Sequence, residues 1–185
     1  MALSRRIFIM SIYEELKKDH RVVLDLMDRL IASGDADAEQ RNALIGQIRD
    51  ELIPHSRAEE AVFYNVLREI GEGTSLVGHG YVEHMEAETL LRTLQITGKI
   101  DAGWTVTAKK LRDALAHHIQ EEETEIFDAA KKVLDQTEAD QIGKAFVAMK
   151  PEIKEQGLMG TSMDLIVNMM PTRFSSALKN LAAKH

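Results

Sequence analysis

Residues 111–127, LRDALAHHIQEEETEIF, place His118-x-x-x-Glu122-Glu123 in line with Leu111, Leu115 and Ile126; residues 48–64, IRDELIPHSRAEEAVFY, repeat the pattern as His55-x-x-x-Glu59-Glu60. The two copies lie 63 residues apart, and a further histidine precedes each, His20 by 35 residues and His84 by 34. The chain therefore reads as a doubled unit, each half offering a lone histidine and then a His-x-x-x-Glu pair.

Working outward, the apolar side chains around these residues recur at alternating steps of three and four, which is the stripe of an amphipathic helix. One stripe runs Leu16, His20, Val23, Met27, Leu30, and a second runs Ile48, Leu52, His55, Glu59, Val62, Val66. A third runs Leu111, Leu115, His118, Glu122, Ile126, Ala129, and a shorter one is His84, Glu88, Leu91. Polar residues thus stand where core leucines ordinarily sit. A small rotation of the last long helix would substitute His117 and Glu121 for His118 and Glu122, but Leu111 and Leu115 favour His118. Glu60 is expected on the outward face, where its replacement should leave metal stoichiometry unchanged. His79, His117 and His185 fall outside the pattern and read as surface, loop or outer residues.

Only three prolines and no convincing strand make the chain all-α. Helix one is expected from about Ser11 to Ser33, with a Ser11-x-x-Glu14 capping box and a stop at Gly34. Helix two should start at Asp37-x-x-Gln40 and end near Gly71, kinked or broken at Pro54. A glycine-rich link from Gly71 to Gly80 leads to helix three, about Tyr81 to Thr97, ended by Gly98. Helix four covers about Ala102 to Leu134. Short links between long helices favour antiparallel neighbours, hence an up-down-up-down four-helix bundle over residues 11–135.

Residues 136–185 form a C-terminal helical appendage. It opens with a helix from Thr137-x-x-Asp140 to about Glu155, continues through the methionine-rich stretch Leu158 to Met170, and closes with a short helix after Pro171. It is expected to pack over one end of the bundle. Met159, Met163, Met169 and Met170 suit adaptable core packing or a homodimer contact. Residues 1–10 read as an N-terminal extension: Arg5-Arg6 resembles a twin-arginine export start, but no apolar run of sufficient length follows. The expected location is the cytoplasm.

A chain of 185 residues, 44% apolar, can bury a proper core. Its net charge of −7 with interspersed signs offers no basic stripe for a phosphate backbone, so nucleic acid is not an expected partner. No stretch is long and apolar enough to span a membrane. The absence of cysteine excludes disulfides and thiolate-held metal. Buried carboxylates need compensation, and fixed cations on the inward stripes are too few to supply it. A cation bound by nitrogen and oxygen ligands does so, and that ligand set suits non-haem iron. Four histidines and two glutamates exceed the needs of one ion, so two ions sharing Glu59 and Glu122 are expected, each also receiving two histidines.

The motifs Asp19-His20, His55-x-x-x-Glu59-Glu60, Glu83-His84 and His118-x-x-x-Glu122-Glu123 resemble the hemerythrin-like family, the HHE cation-binding domain, over about residues 11–135. The resemblance implies a bundle holding two iron ions bridged by two carboxylates and an oxide or hydroxide, with ligands His20, His55, Glu59, His84, His118 and Glu122. It also implies a pocket for a small ligand such as dioxygen, nitric oxide or peroxide. Oxygen-carrying members have a second third-helix histidine four residues on, where this chain has Glu88, an additional candidate ligand. They also place an aspartate five residues after the last histidine, whereas Glu122 follows His118 at four. The His/Glu set is similar instead to bacterial hemerythrin-like proteins and to di-iron proteins of iron-sulfur cluster repair, although the cysteine-bearing region of the latter is missing. The expected functions are sensing or scavenging of a small oxidant, with peroxide or nitric oxide reduction and iron storage or donation as alternatives.

Overall fold

A computed structural model describes residues 10–33, 38–97, 102–157 and 168–174. Helix α1 spans Ile12–Ala32 and α2 spans Ala38–Glu59; a π-helical turn, Glu60–Tyr64, joins α2 to α3, Asn65–Ile70. After α4, Thr74–Ile96, and α5, Ala102–Glu121, a second π-helical turn, Glu122–Ile126, leads into α6, Phe127–Val133. Helix α7 is Gln136–Gln156. No strand occurs among the described residues.

The capping box at Ser11 forms as the sequence predicts: Glu14 Oε2 accepts from the Ser11 N–H at 3.2 Å. Asp37 and Gly98, the expected start of helix two and stop of helix three, lie outside the described residues. Two helix starts differ from expectation, and at Pro54 the break offered as one alternative does not occur. Residues 74–80 are helical rather than a link, because a positive-φ glycine at Gly71 (84°) and a second at Gly73 (61°) complete the reversal within three residues. The backbone runs through Pro54 without a break in helix α2. Helix α7 is capped two residues earlier than predicted, by Asp135, whose Oδ1 accepts from the Glu138 N–H at 2.9 Å.

The polar residues divide the interior in two. On α1, Ile12 and Leu16 belong to one apolar cluster and Val23 to Leu30 to the other, with His20 between them. On α2 the order reverses: Ile48 and Leu52 precede His55, while Ala58 and Val62 follow it into the first cluster. Helix α4 repeats the order of α1, and α5 with its π turn repeats that of α2. That alternation is the up-down-up-down bundle, with the histidines and glutamates as one layer across its axis.

Helix α7 does not cap an end of the bundle. It lies along α1 and α2, burying Ala139, Ile142, Phe146, Met149 and Ile153 in the first cluster. Gly143 permits this approach, since a Cβ there would sit 2.6 Å from the Met10 carbonyl oxygen. Met170 and Phe174 are buried in the same cluster and Met169 packs against it, so these side chains spend their apolar surface on their own chain. Met159, Met163 and the Arg5-Arg6 pair lie outside the described residues.

Candidate metal centre

Both π turns begin immediately after or at the inward glutamate of a repeat, Glu59 in one and Glu122 in the other. A π turn inserts one residue into the helical register and is frequent at functional sites. Here it turns additional side chains inward: Val62, Phe63 and Tyr64 are consecutive and all buried, as are Ile126 and Phe127. Regular three-four spacing foresaw Val62 and Ile126 but not this aromatic floor.

All six residues singled out by the repeat are buried. Glu59 and Glu122 are 0% exposed, and His20, His55, His84 and His118 are 3–6% exposed. His20 Nε2 lies 3.1 Å from Glu122 Oε2, and His84 Nε2 lies 3.3 Å from Glu59 Oε2. His55 Nε2 is 3.7 Å from Glu59 Oε2, and the Nε2 atoms of His84 and His118 face each other at 3.1 Å. Glu59, His84 and His118 bring one ligand atom each within 4.8 Å of one another. His20, His55 and Glu122 make the related group in the other half, joined by the His20–Glu122 contact and by ring centroids of His20 and His55 5.2 Å apart.

A further ring of four carboxylates surrounds the imidazoles. His20 Nδ1 meets Glu123 at 2.9 Å, His84 Nδ1 meets Glu60 at 2.9 Å, His118 Nδ1 meets Glu83 at 2.9 Å, and His55 Nδ1 meets Asp19 at 3.2 Å. The pairing respects the repeat. Asp19 and Glu83, each preceding a lone histidine, serve the other histidine of their own half; Glu60 and Glu123 serve the lone histidine of the opposite half. A carboxylate on Nδ1 selects the tautomer that donates there, leaving the Nε2 lone pair turned to the centre. Glu60 is therefore not a solvated outer residue, as the sequence suggested, but the orienting partner of His84. The acidic neighbours were visible in the motifs; the crossing of Glu60 and Glu123 between halves was not, because it depends on how the two halves pack.

Glu88 stands apart. Its Oε2 accepts from Arg57 Nη2 at 2.7 Å, and Ala87 rather than Glu88 occupies the buried stripe of α4 between His84 and Leu91. Beside Glu83, His79 and His117 are exposed, as expected.

The electrostatics of the layer are unfavourable to bare protein. No oxygen of Glu59 or Glu122 has a hydrogen-bond partner, although all four are buried. Burial, then the neighbouring Glu122, pushes the Glu59 carboxyl well above the usual carboxylate range. Burial acts the same way on Glu122, but Glu59 and the His20 ring hold it below that range. Burial depresses His55 to about 4, whereas at His20 the opposing pull of burial is outweighed by Glu122 and Glu123, which raise it to about 9. With Nδ1 donating to a carboxylate, the facing Nε2 atoms of His84 and His118 present two lone pairs to each other. A cation among these atoms relieves both conflicts, and neutral imidazole with carboxylate is a fitting donor set for it.

One side of the layer is open. A cavity of about 20 Å³, room for roughly one water-sized molecule, is lined by the four histidines and by Val23, Leu52, Ala87, Leu115 and Ile119. Glu51 and the outer carboxylates Asp19 and Glu83 also border it.

Comparison with known proteins agrees with this geometry. A family model described as the hemerythrin HHE cation binding domain matches residues 11–130. A DNA nickase of Nostoc sp. is 28% identical over 148 residues, covering 80% of this chain but only 41% of the Nostoc protein. An uncharacterized protein of Mycobacterium tuberculosis is 27% identical over 149 residues, covering 78% of this chain and 88% of the relative. Among solved structures, a hemerythrin HHE cation binding domain-containing protein from Mycobacterium kansasii has the same fold, with a TM-score of 0.67 at 22% identity. The match covers 87% of this chain and 99% of that one.

Proposed function

The chain belongs to the hemerythrin HHE cation-binding domain family, and from that premise we propose that its buried layer holds two iron ions and binds or reacts with a small oxidant or diatomic ligand. The observation that carries this reading is the pair Glu59 and Glu122, fully buried, without hydrogen-bond partners, and enclosed by four imidazoles. Glu59, His84 and His118 would hold one ion and Glu122, His20 and His55 the other. Iron held there would supply one-electron redox chemistry.

The chain's own residues set what reaches that centre. Val23, Leu52, Ala87, Leu115 and Ile119 line a cavity of only about 20 Å³ beside the histidines, a size that favours a small ligand such as dioxygen, nitric oxide or peroxide over an organic substrate. Asp19, Glu60, Glu83 and Glu123 keep each Nδ1 proton in place and each Nε2 directed inward. Arg57 holds Glu88 away from the layer, so no fifth protein ligand completes one ion at the expense of the other. That symmetry favours reaction with peroxide or nitric oxide over reversible oxygen carriage. The DNA nickase named for the Nostoc relative draws no support from a chain of net charge −7 without a basic stripe.

Metal analysis of the purified protein with its optical spectrum, followed by anaerobic mixing of the ferrous protein with oxygen, nitric oxide and peroxide, tests the proposal. Two irons per chain and fast reaction with nitric oxide or peroxide are expected. Repeated turnover would make the protein an enzyme, a single reaction a sensor or scavenger. A long-lived, reversible oxygenated species would overturn the preference against carriage, and a protein devoid of transition metal under every preparation would overturn the whole reading.

A further inference from the structure

Outside the buried layer, α4 and α5 present a second arrangement of ligand side chains to solvent. His79 and Glu83 are four residues apart on α4, and His117 and Glu121 four apart on α5, so each pair lies on one helix face. The two pairs meet across the helix interface. His79 Nε2 is 3.6 Å from Glu83 Oε1 and 3.8 Å from Glu121 Oε2; His117 Nε2 is 3.7 Å from Glu83 Oε1 and 3.3 Å from Glu121 Oε1. One ligand atom from each of the four residues lies within 4.8 Å of the others. Ligand atoms around a tetrahedral zinc ion, with bonds of 2.0–2.2 Å, stand about 3.3 Å apart. The observed nitrogen-to-oxygen separations thus need only small side-chain adjustments to close on an ion.

An independent observation comes from the other half of the chain. Glu83 corresponds there to Asp19, since each precedes the lone histidine and each accepts from the Nδ1 of the other histidine of its half. Asp19 also receives a cation, Lys150 Nζ at 2.5 Å, from α7. Among the described residues, Glu83 has no lysine or arginine at ion-pair distance; what faces its Oε1 is the pair of imidazoles. The residues corresponding to His79, His117 and Glu121 in the first half are Glu15, Pro54 and Ala58, so the surface cluster exists in one half only. The half that lacks the lysine carries the ligands.

We propose that His79, Glu83, His117 and Glu121 form a surface site for a divalent transition-metal ion, zinc fitting best, which supplies Glu83 with the positive charge that Lys150 supplies to Asp19. Two imidazoles and two carboxylates without sulfur suit zinc in tetrahedral coordination. The ion lies one carboxylate away from the buried layer, because Glu83 Oε2 accepts from His118 Nδ1. The site stands whether or not the buried layer is loaded with iron.

The test uses the full-length protein with its resident metal content first measured. Titration with cobalt(II), followed by its visible absorption and by competition with zinc, should show one additional ion per chain with the intense bands of tetrahedral cobalt. The double variant His79→Ala/His117→Ala should keep the resident metal and lose the additional ion. Glu121→Gln, which removes the charge of one proposed ligand, should weaken its binding at least about tenfold. Equal cobalt binding by wild type and both variants would overturn the site, and so would wild type that binds no additional ion, in which case the two imidazoles alone accompany Glu83.

Discussion

At the residue scale, the centre depends on carboxylates in two roles. Glu59 and Glu122 are buried with nothing to satisfy them but a cation, whereas Asp19, Glu60, Glu83 and Glu123 each take a histidine Nδ1–H. Glu59→Ala should therefore release at least one ion per chain, while Glu60→Gln should retain stoichiometry and weaken affinity by about 10–100-fold, as measured by metal analysis and chelator competition. Equal loss in the two variants would mean that the register of α2 is wrong. Without metal the order reverses. Glu59→Leu removes an uncompensated buried carboxyl and should stabilise the chelator-stripped protein by ~1–3 kcal/mol in denaturant unfolding. The same stripped protein should show a pH dependence from His20. Glu122 and Glu123 raise its pKa from the ordinary 6.5 to about 9 in the folded chain, so its contribution is fully present below the unfolded value and lost as pH rises through about 9. The denaturation midpoint of stripped wild type should fall across that window, and one that rises would refute the Glu122 and Glu123 pairing.

At the element scale, the π turns let one helix serve two purposes. Upstream of each turn the stripe presents the buried pair His55 and Glu59, or His118 and Glu122; downstream, the inserted residue swings Phe63 and Tyr64, or Phe127, under the layer. Tyr64 stacks on the His84 ring with centroids 5.6 Å apart and planes 3° from parallel. That stacking requires a glycine opposite: a Cβ at Gly80 would meet Tyr64 Oη at 2.7 Å and Cε2 at 2.8 Å. Gly80→Ala should cost ~1–3 kcal/mol in thermal or denaturant unfolding, through displacement of Tyr64. An unchanged midpoint would show that the ring yields freely. The helical stripes themselves were legible because amphipathic spacing is a local property. The π turns were not, since an inserted residue leaves composition and spacing almost unaltered and is stabilised by the packing it makes possible.

At the scale of the whole molecule, α7 belongs to the centre as well as to the core. Phe146 meets the His55 ring edge-on with centroids 5.5 Å apart, and Lys150 holds Asp19, the orienting partner of His55. Lys150→Met should keep the fold and weaken metal retention about tenfold, seen as faster loss to a chelator. A change confined to stability, with metal retention intact, would reduce α7 to a packing element. The partner of Asp19 comes from 131 residues away, so no reading of local spacing reaches it.

The amino-acid sequence alone determined the helical bundle and the six inward-facing histidines and glutamates, because a repeated polar interruption of an apolar stripe fixes which face each side chain occupies. Tertiary packing alone decided which carboxylate orients which histidine, where Glu88 turns and how α7 joins the layer. Those outcomes rest on distances between helices, and such distances follow from how whole surfaces fit together rather than from the period of any one of them.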